Sequence, residues 1–292
     1  MTPWTIIGAS SFTGRHFVEF LRARSALVHE ISLRHPYGFA PQPGFVVNFA
    51  AMNIVAPSWE RAEAYVDFNV RRFTALLDFL RERPPARYIH ISTPEVYGST
   101  AGWVNEDHPF NPSTPYAVTR AAQEMMLKVY GQQYGLDYCV TRACNVYGPG
   151  QQLWRLIPRL IYSVLAGKRF YLEGRGHSVR SFIHVDDMCQ AIYAVAHEGK
   201  TGEAYHIAPL LSHSILGIVE MICGMLDVKM SEVCSDAPER PGKDAAYKLN
   251  SNKLRALNWT DQIDLDDGII DVIDWMKQNW AEVQRMPLEW KP

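Results

Sequence analysis

Short apolar runs alternate with amphipathic stretches along the first half of the chain. Four runs have the length and the isoleucine, valine and aromatic content of buried strands, at 4–7, 45–51, 88–92 and 137–142. The stretches between them space apolar residues three and four positions apart, as helices do, at 17–21, at 59–82 and from Pro115 onward. This alternation predicts an α/β fold built on a Rossmann-like, doubly wound parallel sheet.

The alternation loosens after Gly150. A helix over 153–167, strand-like segments at 170–173 and 180–185, a helix capped by Asp186 or Asp187, and a strand at 205–207 follow in order. Residues 212–292 are expected to hold three helices separated by a charged loop. We therefore predict a dinucleotide-binding domain over 1–150, to which 184–208 return, and a smaller, mostly helical substrate-binding domain formed by 151–183 and 209–292.

The second strand is followed unusually soon by the third. Residues 31–33 end the second strand, and a loop rich in proline and glycine leads directly to the strand at 45–51. Parallel neighbours need a crossover of about a dozen residues or more. We therefore predict that one strand–helix unit is missing after the second strand.

Composition narrows the classes of function. Of 292 residues, 47% are hydrophobic and 21% charged, and the formal net charge of −2 argues against nucleic-acid and anionic membrane partners. No apolar run approaches the ~20 residues of a membrane span, and residues 1–3 lead into a strand with no signal peptide. The five cysteines are scattered and include no Cys-x-x-Cys pair, which favours free thiols in a reducing cytoplasm and no metal site.

A glycine-rich turn joins the first strand to the first helix. In this order the elements form the phosphate-binding start of a dinucleotide fold, where Gly8 allows a tight turn and Gly14 close helix packing. Ser11 stands where the usual pattern has its middle glycine, and a glycine turn before a helix is also common without a cofactor. The candidate cofactor-binding residues here are Gly8, Ser10, Ser11, Phe12, Thr13 and Gly14, with Ala50 at the end of the third strand.

Arg34 follows the second strand, where an NAD-binding fold usually carries an acidic residue for the ribose hydroxyls. An arginine at that place suits a 2′-phosphate, so both NAD and NADP are candidate cofactors. The alternative is a solvated surface arginine with the ribose held in another way.

Four chemically different side chains follow the strand at 88–92. Thr93 and Glu95 come at its carboxyl end, where open α/β sheets bind their ligands. Ser113 or Thr114 caps the next helix, and Pro115 occupies its first position. Tyr116 and Arg120 lie four residues apart and therefore share one face of that helix. Without further context, Glu95 could pair on a surface loop, and the other two could form an ordinary helix-surface pair.

Seven motifs in order resemble the extended short-chain dehydrogenase/reductase family, and within it the nucleotide-sugar 4,6-dehydratases of the dTDP-glucose and GDP-mannose type. They are GASSFTG, NFAA, STPEVYG, YAVTR, RACNVYGPGQ, VRSFIHVDD and ERPGKDAAYKLNSNKLRALNW. The 4-epimerases and nucleotide-sugar decarboxylases share most of this set. The resemblance implies an enzyme, a homodimer through the helices near 60 and 115, and a tightly bound cofactor that is recycled within the site.

The resemblance also implies roles for the candidate residues. Tyr116 takes the proton from the sugar C4 hydroxyl, assisted by Arg120, and both contact the cofactor. Thr93 binds the same sugar oxygen, and Glu95 removes the C5 hydrogen while water leaves C6. Three further residues correspond to sugar-nucleotide contacts, the arginines being suited to a diphosphate: Asn145, Arg180 and Arg240.

Two positions depart from the family pattern. Arg120 replaces the usual lysine, and its planar guanidinium does not overlay an ammonium group. Pro94 stands where many dTDP-glucose 4,6-dehydratases carry the aspartate that protonates the leaving hydroxyl, which leaves the acid–base work to Glu95. A 4-epimerase does not need Glu95, so this carboxylate favours dehydration. These departures, with Ser11 and Arg34, keep open a non-catalytic relative that binds nucleotide sugars.

Overall fold

The computed structural model describes residues 2–32, 43–100, 102–238 and 248–290, so that Arg34 and Arg240 lie outside the described residues. The strands in chain order are β1 (Trp4–Ile7), β2 (Val28–Ile31), β3 (Phe45–Asn48), β4 (Arg87–Ser92), β5 (Trp103–Val104), β6 (Tyr138–Ala143), β7 (Asn145–Tyr147), β8 (Phe170–Glu173), β9 (Val179–Arg180), β10 (Phe182–His184), β11 (Ala204–Ile207), β12 (His213–Ser214), β13 (Cys234–Ala237) and β14 (Lys248–Leu249).

Two long helical stretches and several shorter helices connect these strands. The α-helices are α1 (Phe12–Arg22), α2 (Ala62–Tyr65), α3 (Arg72–Glu82), α4 (Pro115–Tyr134), α5 (Leu156–Leu165), α6 (Val185–Glu198), α7 (Ile215–Met225), α8 (Met230–Val233), α9 (Asn252–Arg255), α10 (Leu265–Gln278) and α11 (Trp280–Val283). A π-helical stretch, Val66–Arg71, joins α2 to α3, so residues 62–82 are continuously helical. None of the described helices is long and apolar enough to cross a bilayer.

Six parallel strands form the central sheet in the order β11-β6-β4-β3-β1-β2. The chain runs outward from β1 to β2, returns to β3 on the other side of β1, and continues in the opposite direction. This is a doubly wound, Rossmann-like sheet, as the sequence predicts. The described residues place no strand–helix unit between β2 and β3, and β2 is the edge strand among them.

Helices cover both faces of the sheet, which explains why its strands are apolar on both sides. On one face, Phe17 and Leu21 of α1 pack with Ile192 and Val195 of α6. On the other face, the helical stretch up to α3 packs beside α4. Buried residues that carry this second layer are Phe73, Leu76, Leu77, Leu80, Tyr88 and Leu127.

A separate apolar cluster forms around α5, α7 and α10. Two predictions for residues 151–292 need correction. The helix expected over 153–167 is shorter, Leu156–Leu165. The described residues after 212 contain five helices instead of three, and only α7 and α10 exceed one turn.

The N-cap predicted for α6 is also wrong. His184 caps this helix, because its Nδ1 accepts a hydrogen bond from the Asp186 amide over 3.3 Å. Asp187 is fully buried and instead accepts from the amides of Gln262 and Ile263, at 3.0 Å each. The carboxylate thus fastens the segment that leads to α10.

Candidate active site

The turn between β1 and α1 has the shape of a phosphate cradle. Gly8 has a φ of +79°, and a Cβ there would lie 2.8 Å from the Ala50 nitrogen. A Cβ on Gly14 would lie 2.4 Å from the Gly8 carbonyl oxygen. Both positions therefore require glycine, and the turn leads directly into the amino-terminal end of α1, where a phosphate is favoured.

Ser11 explains the missing middle glycine. Its extended backbone makes it the N-cap of α1, and its Oγ accepts from the Gly14 amide over 3.1 Å. Of the other predicted contacts in the turn, Ser10 is exposed, Thr13 half-buried and Phe12 buried. Ala50 follows β3 directly, and its amide donates to Asn48 Oδ1 over 2.9 Å. The residues present therefore fit a dinucleotide.

Thr93 and Glu95 begin a short 3₁₀ turn at the carboxyl end of β4. Thr93 is its N-cap and accepts from the Glu95 amide over 3.3 Å, while Pro94 occupies the first helical position. Thr93 is buried and Glu95 half-buried. Because this turn packs against α4, Thr93 and Glu95 lie beside the helix that carries Tyr116.

Thr114 caps α4, one of the two caps predicted, and accepts from the Ala117 amide over 3.1 Å. Tyr116 and Arg120 are both buried, at 6% and 3% exposure. Arg120 donates from Nη2 to the Ile91 carbonyl, near the end of β4. The structure therefore brings the candidate cation against the strand that presents Thr93.

Asn69 belongs to the site, and the sequence reasoning missed it. It lies fully buried in the π-helical stretch, where its amide bonds both backbone polar groups of Met52, at 2.9 and 3.1 Å. It also donates to Thr119 Oγ1 over 3.0 Å, and Thr119 in turn donates to the Tyr116 carbonyl. Asn69 thus joins the loop after β3 to the helix of Tyr116, as π-helical insertions at functional sites often do. The sequence offers no specific signal for it, because an asparagine on the apolar side of a long helix looks the same as a polar interruption of that face.

A buried ion pair between α4 and β6 stabilises the carboxyl end of β4. Glu124 on α4 binds the guanidinium of Arg142 on β6, with a shortest distance of 2.6 Å, and both side chains are 5% exposed. Ser92 donates to the same carboxylate over 2.5 Å. Arg142 also donates to the hydroxyl of Tyr97, whose pKa is raised by burial. Glu124 and Arg142 therefore fix the residues on either side of Thr93 and Glu95.

Two of the three candidate substrate residues lie close to one another. Asn145 on β7 donates to the Ser181 carbonyl over 3.1 Å, and Arg180 immediately precedes that serine. Arg180 is half-buried on β9 and bonds the Val179 carbonyl over 2.8 Å. Asn145 and Arg180 thus approach one another, while Arg240 lies outside the described residues.

Known proteins resemble this chain over most of its length. The profile of the NAD dependent epimerase/dehydratase family matches residues 4–208. The chain is 34% identical over 248 residues to a dTDP-glucose 4,6-dehydratase of Streptomyces niveus, an alignment that covers 84% of this chain and 74% of the relative.

Solved structures show the same fold over nearly the whole chain. A dTDP-glucose 4,6-dehydratase from Streptomyces venezuelae, solved with NAD, is 29% identical with a TM-score of 0.87, covering 96% of this chain and 98% of the other. A UDP-glucose 4-epimerase from Thermus thermophilus superposes nearly as well, with a TM-score of 0.85 at 24% identity, covering 94% and 99%. The fold alone therefore does not separate elimination from epimerisation.

Proposed function

This chain belongs to the NAD dependent epimerase/dehydratase family, and we propose that it is a nucleotide-sugar 4,6-dehydratase. The observation that carries the proposal is the pairing of Thr93 and Glu95 on the turn after β4 with Tyr116 and Arg120 on α4. A carboxylate at this place gives the site a base for C–H removal, which elimination needs and 4-epimerisation does not.

The cofactor proposed for the site is NAD, in agreement with the family. Gly8, Ser11 and Gly14 would hold its phosphates at the start of α1, and Ala50 would lie beside it. The chemistry it would supply there is hydride transfer, from the sugar C4 at the start of the reaction and back to C6 at its end. The net reaction loses one water and produces a 4-keto-6-deoxy sugar without net oxidation.

The chain's own residues carry the proton transfers. Tyr116 takes the proton of the C4 hydroxyl, and Thr93 holds that oxygen with its own hydroxyl. The C5 hydrogen is acidic once C4 is a ketone, and Glu95 removes it as a proton. Because Pro94 has no proton to give, Glu95 also returns its proton to the hydroxyl that leaves C6. Asn145 and Arg180, with 151–183 and 209–292, are proposed to bind the nucleotide part of the substrate.

Mass spectrometry of reactions with a panel of nucleotide hexoses tests the proposal. The expected product is lighter than its substrate by one water, with one solvent hydrogen incorporated at C5. Glu95→Gln is expected to lower the rate by at least about 100-fold. The matched control Glu232→Gln, which changes an exposed carboxylate on α8, is expected to leave the rate unchanged. Full activity of Glu95→Gln would contradict the proposed base.

Other outcomes point to other family activities. A product of unchanged mass with inverted C4 identifies a 4-epimerase, and loss of carbon dioxide from a nucleotide uronic acid identifies a decarboxylase. A purified protein that carries no dinucleotide, and takes none up in calorimetry, identifies a non-catalytic relative.

The proposed assembly is a homodimer through α4 and the helical stretch before α3. The outer face of α4 exposes Val118, Met125 and Val129, each at least half exposed and spaced seven and four residues apart. Val66 exposes a further apolar side chain on the neighbouring stretch, at 50%. Met125→Glu is expected to halve the mass measured by light scattering, whereas Tyr171→Glu, at an equally exposed position elsewhere, is not.

All five cysteines are free thiols. This supports the proposed cytoplasmic location, where thiols stay reduced.

A further inference from the structure

Tyr97 is the last residue of the short turn that carries Glu95, and its side chain is fully buried. The turn, Pro94–Tyr97, follows β4 directly. The Gly98 amide donates to the Glu95 carbonyl over 3.1 Å, which closes the turn around these residues. Because Tyr97 comes only two residues after Glu95 in this closed turn, a displacement of Tyr97 also displaces Glu95.

The Tyr97 hydroxyl has two partners on neighbouring strands. It accepts a hydrogen bond from Nη1 of Arg142 on β6, and it lies 2.6 Å from Nε2 of His206 on β11. Arg142 and His206 are directly paired in the register of these two parallel strands. Nδ1 of His206 lies 3.1 Å from the Asn250 carbonyl, which can only accept, so Nδ1 carries the ring proton. Nε2 therefore accepts from Tyr97, and the hydroxyl both accepts and donates.

Both partners of the hydroxyl are themselves held in place. Arg142 is paired with Glu124, and its Nη1 also donates to the Glu106 carbonyl over 2.8 Å. The His206 amide donates to Oε1 of Glu106 over 2.9 Å. Burial lowers the pKa of His206 to about 3, so its ring is neutral near pH 7 and Nε2 stays an acceptor. Arg142 and His206 therefore provide a fixed seat for the hydroxyl.

The series of hydrogen bonds continues into the predicted substrate-binding domain. Asn250 directly follows β14, within the range 209–292 predicted for that domain. Its amide donates to the Val104 carbonyl over 2.9 Å, and its Nδ2 donates to Oδ1 of Asn105 over 2.9 Å. The bonds from Tyr97 through His206 thus connect the turn of Glu95 with a segment that is distant in the sequence.

We propose that the Tyr97 hydroxyl is a positioning group for Glu95, because it holds the turn between Arg142 and His206 and so keeps the carboxylate in reach of the C5 hydrogen. The inference rests on the proposed dehydratase function. A general base must lie within hydrogen-bond reach of the proton that it removes. A misplacement of about 1 Å can lower a rate by about 100-fold. Tyr97 itself neither touches the substrate nor transfers a proton in this role.

The proposed role is specific to one step of the reaction. Thr93 lies at the end of β4, before the turn, and Tyr116 lies on α4. In the described part of the chain, the hydrogen bonds of the Tyr97 hydroxyl go to Arg142 and His206 and to neither of these two residues. Loss of the hydroxyl should therefore slow removal of the C5 proton more than oxidation at C4.

The first test needs no substrate and follows amide hydrogen exchange by NMR. Tyr97→Phe removes the hydroxyl and keeps the ring. The matched control is Tyr205→Phe, because the Tyr205 hydroxyl is also buried but accepts from the Lys200 amide, at 2.7 Å, outside the turn. Relative to the amides of β4, the Gly98 amide should exchange at least about tenfold faster in Tyr97→Phe and equally fast in Tyr205→Phe. An unchanged ratio in Tyr97→Phe would overturn the proposal.

The second test separates the two chemical steps in a single turnover of the wild type and both variants. Oxidation at C4 is followed by the absorbance of the reduced nicotinamide, and elimination by mass spectrometry of quenched samples. Tyr97→Phe should slow elimination by about 10- to 100-fold and leave C4 oxidation within about twofold of the wild type. Tyr205→Phe should change neither rate. A merely structural role would slow both steps equally, and that result, or an unchanged rate of elimination, would overturn the proposal.

Failure of this inference and failure of the proposed function can be told apart. A wild-type protein that yields no dehydrated product contradicts the proposed function, while amide exchange still decides whether the hydroxyl holds the turn. If Tyr97→Phe does not fold, as judged by circular dichroism, His206→Leu replaces it in both measurements, because it removes the acceptor of the Tyr97 hydroxyl. Faster exchange of the Gly98 amide and slower elimination are then expected, and the absence of either would overturn the proposal.

Discussion

The buried pair Glu124–Arg142 offers a sharp test of how the strand end under the candidate site is held. Glu124→Gln removes one negative charge and preserves the shape of the side chain. Both partners are 5% exposed, and the carboxylate bonds Arg142 at 2.6, 3.0 and 3.2 Å. The substitution leaves a buried guanidinium without its counter-ion, which costs about 3–5 kcal/mol of unfolding free energy.

Urea unfolding followed by circular dichroism measures this loss, and an exposed pair provides the control. Arg22 Nη2 and Glu30 Oε1 are 2.7 Å apart, but the two side chains are 59% and 45% exposed. Glu30→Gln is therefore expected to cost less than about 1 kcal/mol. The free energy of unfolding of a protein domain is roughly 5–15 kcal/mol. The expected difference in this free energy between Glu124→Gln and Glu30→Gln is a large fraction of that value and can be measured.

The double variant Glu124→Leu with Arg142→Met separates charge from packing. It removes both buried charges, so it is expected to be more stable than Glu124→Gln. The reasoning is refuted if Glu124→Gln loses no more than Glu30→Gln. It is equally refuted if the double variant is less stable than the single one.

Three further predictions follow from the structure. Asn69→Ala leaves Met52 without its hydrogen-bond partner, so it should lower the free energy of unfolding by about 1–3 kcal/mol and also lower the dehydration rate. The exposed Asn53→Ala should change neither quantity, as measured by urea unfolding and rate assays. Gly14→Ala should weaken NAD binding at least about tenfold in calorimetry by crowding the Gly8 carbonyl, while Gly224→Ala, with open space around it, should not. Burial lowers the pKa of His206 to about 3, so its neutral form stabilises the fold and this contribution is lost as pH falls below about 6.5. Between pH 7 and pH 5 the wild type should lose about 2 kcal/mol more than His206→Gln, and equal losses would contradict the assignment.

Local rules succeeded where neighbours in the sequence decide the structure. Thr114 and Pro115 begin α4 because a hydroxyl cap and a fixed φ act within one turn. The apolar run before Thr93 is buried as a strand of the sheet. Thr93, which follows this run directly, therefore lies at the carboxyl end of β4. The same rules failed at α6, where the two aspartates at its start were predicted as N-caps. His184 is the N-cap, and Asp187 instead accepts hydrogen bonds from the amides of Gln262 and Ile263, which are distant in the sequence.

Asn69 shows why other parts of the site could not be predicted. Its partners, Met52 and Thr119, are 17 and 50 residues away in the sequence. In a helical pattern, such an asparagine is indistinguishable from a polar interruption of the apolar face. Only the packing of three elements around it reveals a structural joint behind Tyr116.

The sequence by itself determined the alternation of strands and helices, the glycine turn, and the order of Thr93, Glu95 and Tyr116, since each depends on periodicity or on contacts within a few residues. The environment of Arg120 was decided only by the tertiary structure. Its hydrogen bond goes to the Ile91 carbonyl, which α4 meets only after β4 has paired with β3 in the sheet. The electrostatic effect of a charge depends on the groups that surround it in space. The sequence therefore identifies Arg120, but only the fold defines its surroundings.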